Sequence, residues 1–240
     1  LKINFEFNCK NGNLKQSQEL LQNNPNINIF DNNAEAFTGA CQNGHLEVAK
    51  WLLEVKPNII MSPYYNWAFI YACENGQLNL VQWLYSIKSD INISYNNESS
   101  FKIACYGGHL ELTQWLLKVK PTIDISNDNE CAFVWACKNG HLQVAQWLLR
   151  VKPDINVSAN NELAFKFACM YGYLDVAQWL QTLKPFKYSI KIKNNKLVSN
   201  KINTESKESN KINTESKESQ LFILYALEYK NYTSNLTPNL

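Results

Sequence analysis

Apolar residues recur along most of the chain with the spacing of short amphipathic helices. Phe37, Ala40 and Cys41 stand at positions i, i+3 and i+4, which places them on one face of a predicted helix. A second helix is predicted over residues 46–54, where leucine and alanine alternate at the same period with glutamate and lysine. Gly44 lies between the two segments and suits the left-handed residue that commonly ends a helix. The pattern therefore predicts two helices joined by a tight glycine turn.

This helix–glycine–helix pattern recurs with a period of 32 residues. The turn glycines are Gly12, Gly44, Gly76, Gly108, Gly140 and Gly172. A cysteine precedes each glycine by three residues, at Cys9, Cys41, Cys73, Cys105, Cys137 and Cys169. From the second unit onwards the second helix carries a tryptophan, at Trp51, Trp83, Trp115, Trp147 and Trp179. A fixed period of this length is typical of a solenoid whose units stack, so we attribute these recurring residues to packing.

A proline and a short loop complete each unit. Pro57 ends the second helix of one unit, and in sister units the loop alternates apolar and polar residues over 90–94 and 154–158. We expect this loop to form a short extended finger. The predicted fold class is all-α, a solenoid of about six helix pairs with such fingers.

The sequence of the second helix resembles that of a known protein family. Residues 44–53 read Gly-His-Leu-Glu-Val-Ala-Lys-Trp-Leu-Leu, and close matches return at 76–85, 108–117, 140–149 and 172–180. This sequence resembles the second-helix signature of the ankyrin repeat family, and the resemblance covers about residues 1–186. It implies an ankyrin-type α-solenoid that binds a partner protein, without catalysis, through a concave surface lined by the first helices and the finger tips.

The chain departs from the family pattern at the start of the first helix. The family's Thr-Pro-Leu-His is replaced by sequences such as Glu35-Ala36-Phe37-Thr38, so the hydrogen bonds of that Thr and His must be lost or replaced. The period is one residue shorter than the family's usual length of about 33, which predicts stubbier fingers. The elements Trp-Leu-Leu-x-Val-Lys-Pro and Asn-Asn-Glu resemble the ankyrin arrays that giant viruses of amoebae encode in multiple copies.

Three regions are predicted along the chain. The repeat array occupies residues 1–186, in units of about 1–30, 31–62, 63–94, 95–126, 127–158 and 159–186. Residues 187–219 are expected to form a basic and then low-complexity linker, disordered or weakly helical where a decapeptide is repeated identically. Residues 220–240 begin with an apolar segment that we expect to form a capping or docking helix. Because Leu1 falls inside a repeat, we expect the chain to be a fragment or to have lost upstream residues.

Composition indicates an intracellular protein. The formal net charge is +2, and no apolar run approaches the roughly 20 residues that span a membrane. Six of the seven cysteines form a ladder with one rung per unit. Neighbouring rungs are on the order of 10 Å apart, whereas a disulfide needs Cα atoms within about 7 Å. We therefore expect free cysteines and a reducing compartment, the cytoplasm.

Comparison between the units leaves no candidate for a catalytic or metal-binding residue. His45, His109 and His141 share one position, which Gln77 and Tyr173 occupy in other units, so no imidazole is required there. No cluster of histidine and cysteine has the ligand spacing of a zinc site, and no ladder cysteine has a second cysteine or a histidine two residues away. We predict no catalytic, cofactor-binding or metal-binding residue and no small-molecule substrate.

Positions that differ between the units are the candidates for recognition. Aromatic residues mixed with a few charges suit a protein-binding surface. The predicted partner-binding residues, all on first helices, are Tyr71, Glu74, Lys102, Tyr106, Trp135, Lys138, Lys166 and Met170. The alternative for the register of Tyr71, Trp135 and Phe167 is burial between helices.

Two functions are compatible with this pattern. The first is a non-catalytic scaffold for a protein partner, which the viral resemblance implies is a host protein. The alternative is binding of nucleic acid or an anionic surface through the basic stretch Lys184–Lys201, which contains no acidic residue. No arginine or aromatic platform accompanies these lysines, which disfavours nucleic acid.

Overall fold

The computed structural model describes residues 2–29, 31–61, 63–93, 95–183, 188–193 and 196–201. Twelve α-helices in these ranges form six pairs. The first helices are α1 (Lys2–Lys10), α3 (Asp31–Gln42), α5 (Pro63–Glu74), α7 (Tyr95–Tyr106), α9 (Asn127–Lys138) and α11 (Ala159–Met170). The second helices are α2 (Leu14–Asn23), α4 (Leu46–Val55), α6 (Leu78–Ile87), α8 (Leu110–Val119), α10 (Leu142–Val151) and α12 (Leu174–Leu183). A 3₁₀ helix covers Pro57–Met61, and strands β1 (Tyr188–Lys193) and β2 (Lys196–Lys201) follow the array.

The six pairs stack in chain order. Each first helix contacts its own second helix and the first helices of the neighbouring units, so α1, α3, α5, α7, α9 and α11 form a continuous row. This arrangement is the predicted all-α solenoid of helix pairs. In the described ranges the longest helices have 12 residues, short of the roughly 20 that cross a bilayer, and none is a candidate membrane span.

The glycine turns adopt the left-handed conformation that the sequence predicts. At Gly44 φ is +78°, a region that disfavours any residue with a Cβ atom. The Gly44 N–H donates to the Cys41 carbonyl at 3.2 Å, and the His45 N–H donates to the Ala40 carbonyl at 2.9 Å. These two bonds form a Schellman motif, which ends α3 and directs the chain into α4.

Phenylalanine and cysteine ladders form the core of the array. The phenylalanines, buried to within 1% of full burial, are Phe5, Phe37, Phe69, Phe101, Phe133 and Phe165. Tryptophans of the second helices pack on them across the unit boundaries. The ring centroids of Phe5 and Trp51 are 6.1 Å apart, and those of Phe133 and Trp179 are 6.2 Å apart. The tryptophans therefore help to cover the seams between units.

The fingers contain no strands in the described ranges. In the finger after α10, the Ile155 N–H donates to the Lys152 carbonyl at 3.3 Å and the Val157 N–H donates to the Ile155 carbonyl at 3.0 Å. Both apolar side chains are buried. The alternation seen in the sequence therefore anchors a short turn on the array and does not form a hairpin.

The Asn-Asn-Glu element, which reads Asp-Asn-Glu in α9, forms a left-handed turn before the right-handed part of the first helix. In α9, Asp128, Asn129 and Glu130 have φ values of 54°, 56° and 65°. Asp and Asn tolerate this region better than most residues. The buried carboxylate of Glu130 accepts hydrogen bonds from the Ser126 hydroxyl at 2.7 Å and from the Asn156 N–H at 3.2 Å. Glu130 thus joins two successive fingers, at the point of the unit where the Thr and His of the family are missing.

A β-hairpin follows the array, within the range where the sequence predicts a linker. Strands β1 and β2 pair antiparallel, with Tyr188 opposite Lys201 and Lys193 opposite Lys196. Isoleucine and lysine alternate in β1 with the period of a strand, which accounts for the pairing. Strand β2 contacts α11. The duplicated decapeptide beyond Lys201 and the segment 220–240 lie outside the described residues.

Candidate partner-binding surface

The residues predicted for recognition lie along the row of first helices. We call the residues near the C-terminal ends of α5, α7, α9 and α11 the first-helix strip. Its members are Tyr71, Glu74, Tyr106, Trp135, Lys138, Met170 and Tyr171. The predicted residue Lys166 is half-buried on α11 and stands in the register of Lys102, a register that is buried in the units before it. Because successive first helices contact one another, the members of the strip form a band that runs from unit to unit.

The aromatic members contact one another across helix boundaries. The rings of Tyr106 on α7 and Trp135 on α9 meet edge to face, with centroids 5.7 Å apart and an interplanar angle of 78°. Farther towards the N-terminus, Tyr71 packs on Trp67 of the same helix at 6.4 Å. All four side chains are half-buried, so each is both packed and accessible. Rigid, partly exposed aromatic side chains lose little entropy on binding.

Lys138 lies over two aromatic rings at the C-terminal end of the strip. Its Nζ atom is 5.5 Å from the ring centroid of Phe167 and 5.9 Å from that of Tyr171, within the range of cation–π attraction. Partial burial lowers the pKa of Lys138, and a neighbouring cysteine has a smaller opposite effect. Phe167 is only 4% exposed, so it is a support for the lysine and not a contact residue.

The strip is most exposed in the last unit. Met170 is 65% exposed and Tyr171 is 48% exposed, whereas Trp135 and Lys138 are half-buried. Sequence reasoning missed Tyr171. Its register holds Asn11, Asn43, Asn75, Gly107 and Asn139 in the other units, so an aromatic residue there was a detectable departure.

Lys102 does not belong to this surface. Its side chain is 9% exposed, and its ammonium group is paired with the carboxylate of Asp128 in the next unit. The sequence placed Lys102 among the partner-binding residues, whereas the structure gives it a contact that links α7 to α9. The sequence could not show this pairing because the left-handed turn at Asp128 sets the position of the carboxylate.

Comparison with known proteins decides the family. A family model described as ankyrin repeats (3 copies) matches residues 6–97 and 101–194, more than half of the chain. The chain belongs to the ankyrin repeat family. The crystal structure of the human ASB11 ankyrin repeat domain is similar to it at 18% identity, with a TM-score of 0.53 and coverage of 76% of this chain and 84% of that one. This likeness concerns the fold alone. Among curated proteins, none matches the chain.

The predicted ankyrin-type fold is thereby confirmed. Ankyrin repeats generally mediate protein–protein interaction, and members of the family are typically non-catalytic scaffolds. The resemblance to arrays of giant viruses is not tested by these comparisons and stays a prediction.

The histidine register of the ankyrin units serves packing. The residue after each turn glycine lies over the turn of the preceding unit: His45 over Gly12, His109 over Gly76 and Tyr173 over Gly140. Amide side chains before the turns add bonds between units, since Asn43 Nδ2 donates to the Lys10 carbonyl at 2.7 Å. His141 is partly desolvated in the same position, and its pKa is lowered by burial, against a weaker opposing hydrogen bond to the Tyr106 backbone.

The cysteine ladder of the ankyrin array consists of buried thiols. All seven cysteines are free. Burial raises the pKa of Cys9 to about 11 and that of Cys169 to about 11, and it raises the pKa of Cys73 further still. Since the thiolate is the nucleophile and the metal ligand, these thiols are poorly suited to either role. Within the described part of the chain no group of His, Cys, Asp or Glu is placed to hold a metal ion.

Proposed function

We propose that this ankyrin array is a non-catalytic scaffold that binds a protein partner through the surface formed by its first helices and fingers. The observation that carries the proposal is the first-helix strip, in which Tyr106 and Trp135 pack edge to face while both stay half-exposed. Protein interfaces are enriched in aromatic residues and methionine at their energetic centres. A strip of such residues that continues across unit boundaries supports binding of an extended segment or a flat protein surface.

The proposal extends to the partner and the compartment. The resemblance to viral arrays favours a host protein as the partner. The free thiols of all seven cysteines favour a reducing intracellular compartment, the cytoplasm. Both assignments are predictions, and the capture experiment below tests the identity of the partner.

Affinity capture with mass spectrometry tests the proposed function. The full chain is immobilised and exposed to a cell lysate in three versions: wild type, Trp135→Ala with Met170→Ala, and a control with Gln114→Ala and Lys118→Ala. The control pair lies on the second helix α8, where both side chains are exposed. We expect specific partners to bind the wild type and the control, and to be lost from the first-helix variant.

An unchanged profile for the first-helix variant would overturn the placement of the binding surface. Circular dichroism melting curves verify that each variant stays folded. Met170 is 65% exposed, whereas Trp135 packs on Tyr106 and its truncation removes that contact.

The hairpin favours a second candidate function, binding of an anionic surface. Residues directly opposite in an antiparallel pair share a face, and successive residues alternate faces. The register therefore assigns Lys191, Lys193 and Lys196 to one face of the hairpin and Ile190 and Ile192 to the other. The hairpin thus carries these three lysines in a stretch without acidic residues, and such positive charge attracts phosphate-bearing polymers or membranes.

Salt dependence separates the two candidates. Binding of labelled polyuridine RNA or of vesicles with anionic lipids is measured for the wild type and for a variant with Lys191→Gln, Lys193→Gln and Lys196→Gln. The anionic-surface function predicts binding that falls steeply between about 50 and 200 mM salt and is lost in the variant. The scaffold function predicts protein partners that stay bound at physiological salt.

A further inference from the structure

An open cavity of about 480 Å³ lies on the second-helix side of the array, between α10 and α12. It is lined by Gln146, Leu149 and Arg150 of α10 and by Trp179 of α12. A volume of this size falls within the range of small-ligand sites in proteins, about 300–1,000 Å³. None of these residues belongs to the first-helix strip, so the cavity is separate from the proposed scaffold surface.

The cavity brings together donor groups that the array itself does not use. Arg150 is exposed and is the only arginine of the chain. Within the described residues, its guanidinium group, the side-chain amide of Gln146 and the indole N–H of Trp179 have no hydrogen bond or ion pair. Because Gln146 and Arg150 stand at i and i+4, they lie on one face of α10. Donors without a protein partner around one cavity favour a ligand that accepts hydrogen bonds.

We propose that this cavity binds a carboxylate that is attached to a small apolar or aromatic group. The two carboxylate oxygens accept hydrogen bonds from the guanidinium fork of Arg150, whose planar geometry matches them. The apolar group lies against Leu149 and Trp179, which are both half-buried. This site goes beyond the proposed scaffold function, since its ligand is a small molecule and not a protein partner.

The charges around the cavity favour a singly charged anion. Lys152, at the end of α10, is paired with Asp154 at 3.3 Å, and Asp154 is 79% exposed. The carboxylate of α12 is that of Asp175, a full turn before Trp179. Arg150 stands in the last turn of α10, where the helix carbonyls place a partial negative charge. One guanidinium group beside this helix end therefore balances a carboxylate better than a doubly charged phosphate.

The equivalent clefts between α4 and α10 lack this combination of residues. Between α4 and α6 the register of Arg150 holds Glu54, a carboxylate, and between α6 and α8 it holds the uncharged Ser86. Between α8 and α10 it holds Lys118, but Trp147 beside it is only 8% exposed. Of these clefts, the one between α10 and α12 therefore combines an arginine with an accessible tryptophan.

A nuclear magnetic resonance titration of the full chain tests the proposal. Benzoate is the probe, and benzamide, which has the same shape without the charge, is the matched ligand control. The variant Trp179→Phe assigns the indole N–H signal of Trp179 in the ¹H–¹⁵N spectrum. We expect benzoate to shift this signal with a Kd of about 1–10 mM, a range suited to so small a ligand in an open site. Benzamide should leave the signal unchanged at the same concentrations.

Variants of Arg150 test the role of the charge. Arg150→Gln should weaken benzoate binding by about tenfold or more, because it removes the charge that pairs with the carboxylate. Arg150→Lys should retain only part of the affinity, since an ammonium group lacks the planar fork. Lys118→Gln, in the same register of the preceding unit, is the matched control and should have no effect. Both side chains are exposed, so we expect these variants to keep the fold.

Three results would overturn the proposal. They are an unshifted Trp179 signal at about 20 mM benzoate, an equal response to benzamide, and equal benzoate affinity of the wild type and Arg150→Gln. Inorganic phosphate that binds more tightly than benzoate and displaces it would assign the cavity to phosphate groups and would also overturn the carboxylate. Because the titration contains no partner protein, its result is independent of the capture experiment on the first-helix strip.

Discussion

His109 Nε2 donates a hydrogen bond of 2.8 Å to the carbonyl oxygen of Glu74. The bond joins the start of α8 to the end of α5 in the preceding unit. It satisfies a carbonyl at a helix C-terminus, which would otherwise have no partner in its own helix. The imidazole that sequence comparison removed from the catalytic candidates is therefore part of the contact between units. The bond links the stability of the array to its binding surface, because the Glu74 carbonyl ends α5, one of the helices that carry the first-helix strip.

The turn glycines allow the packing between neighbouring units to be measured. Gly140 and Gly172 both have positive φ, 77° and 83°, so alanine strains either position by about 1–2 kcal/mol. A Cβ atom at Gly140 would also collide with the ring of Tyr173, whereas at Gly172 nothing lies within 4 Å. We expect Gly140→Ala to lower the free energy of unfolding by about 1–3 kcal/mol more than Gly172→Ala. Urea denaturation of the two variants gives the comparison, and equal losses would argue against close packing at the turn.

Acid sensitivity should trace in part to His141. Burial lowers its pKa in the folded chain below the ordinary value of 6.5. The unfolded chain therefore takes up a proton more readily, so this stabilising contribution is complete above about pH 6.5 and is lost as the pH falls below it. We expect His141→Gln, the side chain of Gln77 in the same register, to reduce the fall in melting temperature between pH 7.5 and 5.5. A variant with the same pH dependence as the wild type would contradict this assignment.

The ion pair of Lys102 and Asp128 should contribute to stability and not to binding. Lys102→Val leaves a carboxylate that is only 34% exposed without its partner. We expect a loss of about 2 kcal/mol, less than for a fully buried pair because Asp128 is partly solvated. Adding Asp128→Asn should recover much of the loss, because the double variant reproduces Val134 and Asn160 of the next two units. Thermal denaturation measures both changes, and partner capture by the folded double variant should equal that of the wild type.

Much of this fold could be predicted because every unit repeats the same local rules. Helical spacing around Phe37 and the turn at Gly44 recur six times, and stacking follows from the period. The left-handed turn at Asp128 could not be predicted, since contacts distant in sequence accompany it: Asp128 pairs with Lys102, and Glu130 accepts hydrogen bonds from two fingers. The exposure of Met170 and the burial of Lys102 depend in the same way on tertiary packing. Lys102 is buried because the next unit supplies the carboxylate of Asp128. Met170 is exposed on the first helix of the last unit.

The hairpin shows a different limit. The alternation of isoleucine and lysine around Ile190 is visible in the sequence, but a six-residue alternation does not identify its partner strand. Pairing with β2 and contact with α11 together define the element. A single two-stranded hairpin is marginally stable alone, so the array supports it.

Truncation after residue 186 should therefore leave α11 more exposed and lower the melting temperature of the array. An unchanged melting temperature would indicate that the hairpin contributes nothing to the stability of the array.

The most direct test of the scaffold account is hydroxyl-radical footprinting of the chain with and without its captured partner. Met170 and Trp135 report on the first-helix strip, and Trp115 on the second helix α8 is the internal control. The account predicts that oxidation of Met170 and Trp135, read by mass spectrometry, falls several-fold in the complex while oxidation of Trp115 stays constant. Unchanged oxidation of Met170 and Trp135 in a complex that is demonstrably formed would contradict it.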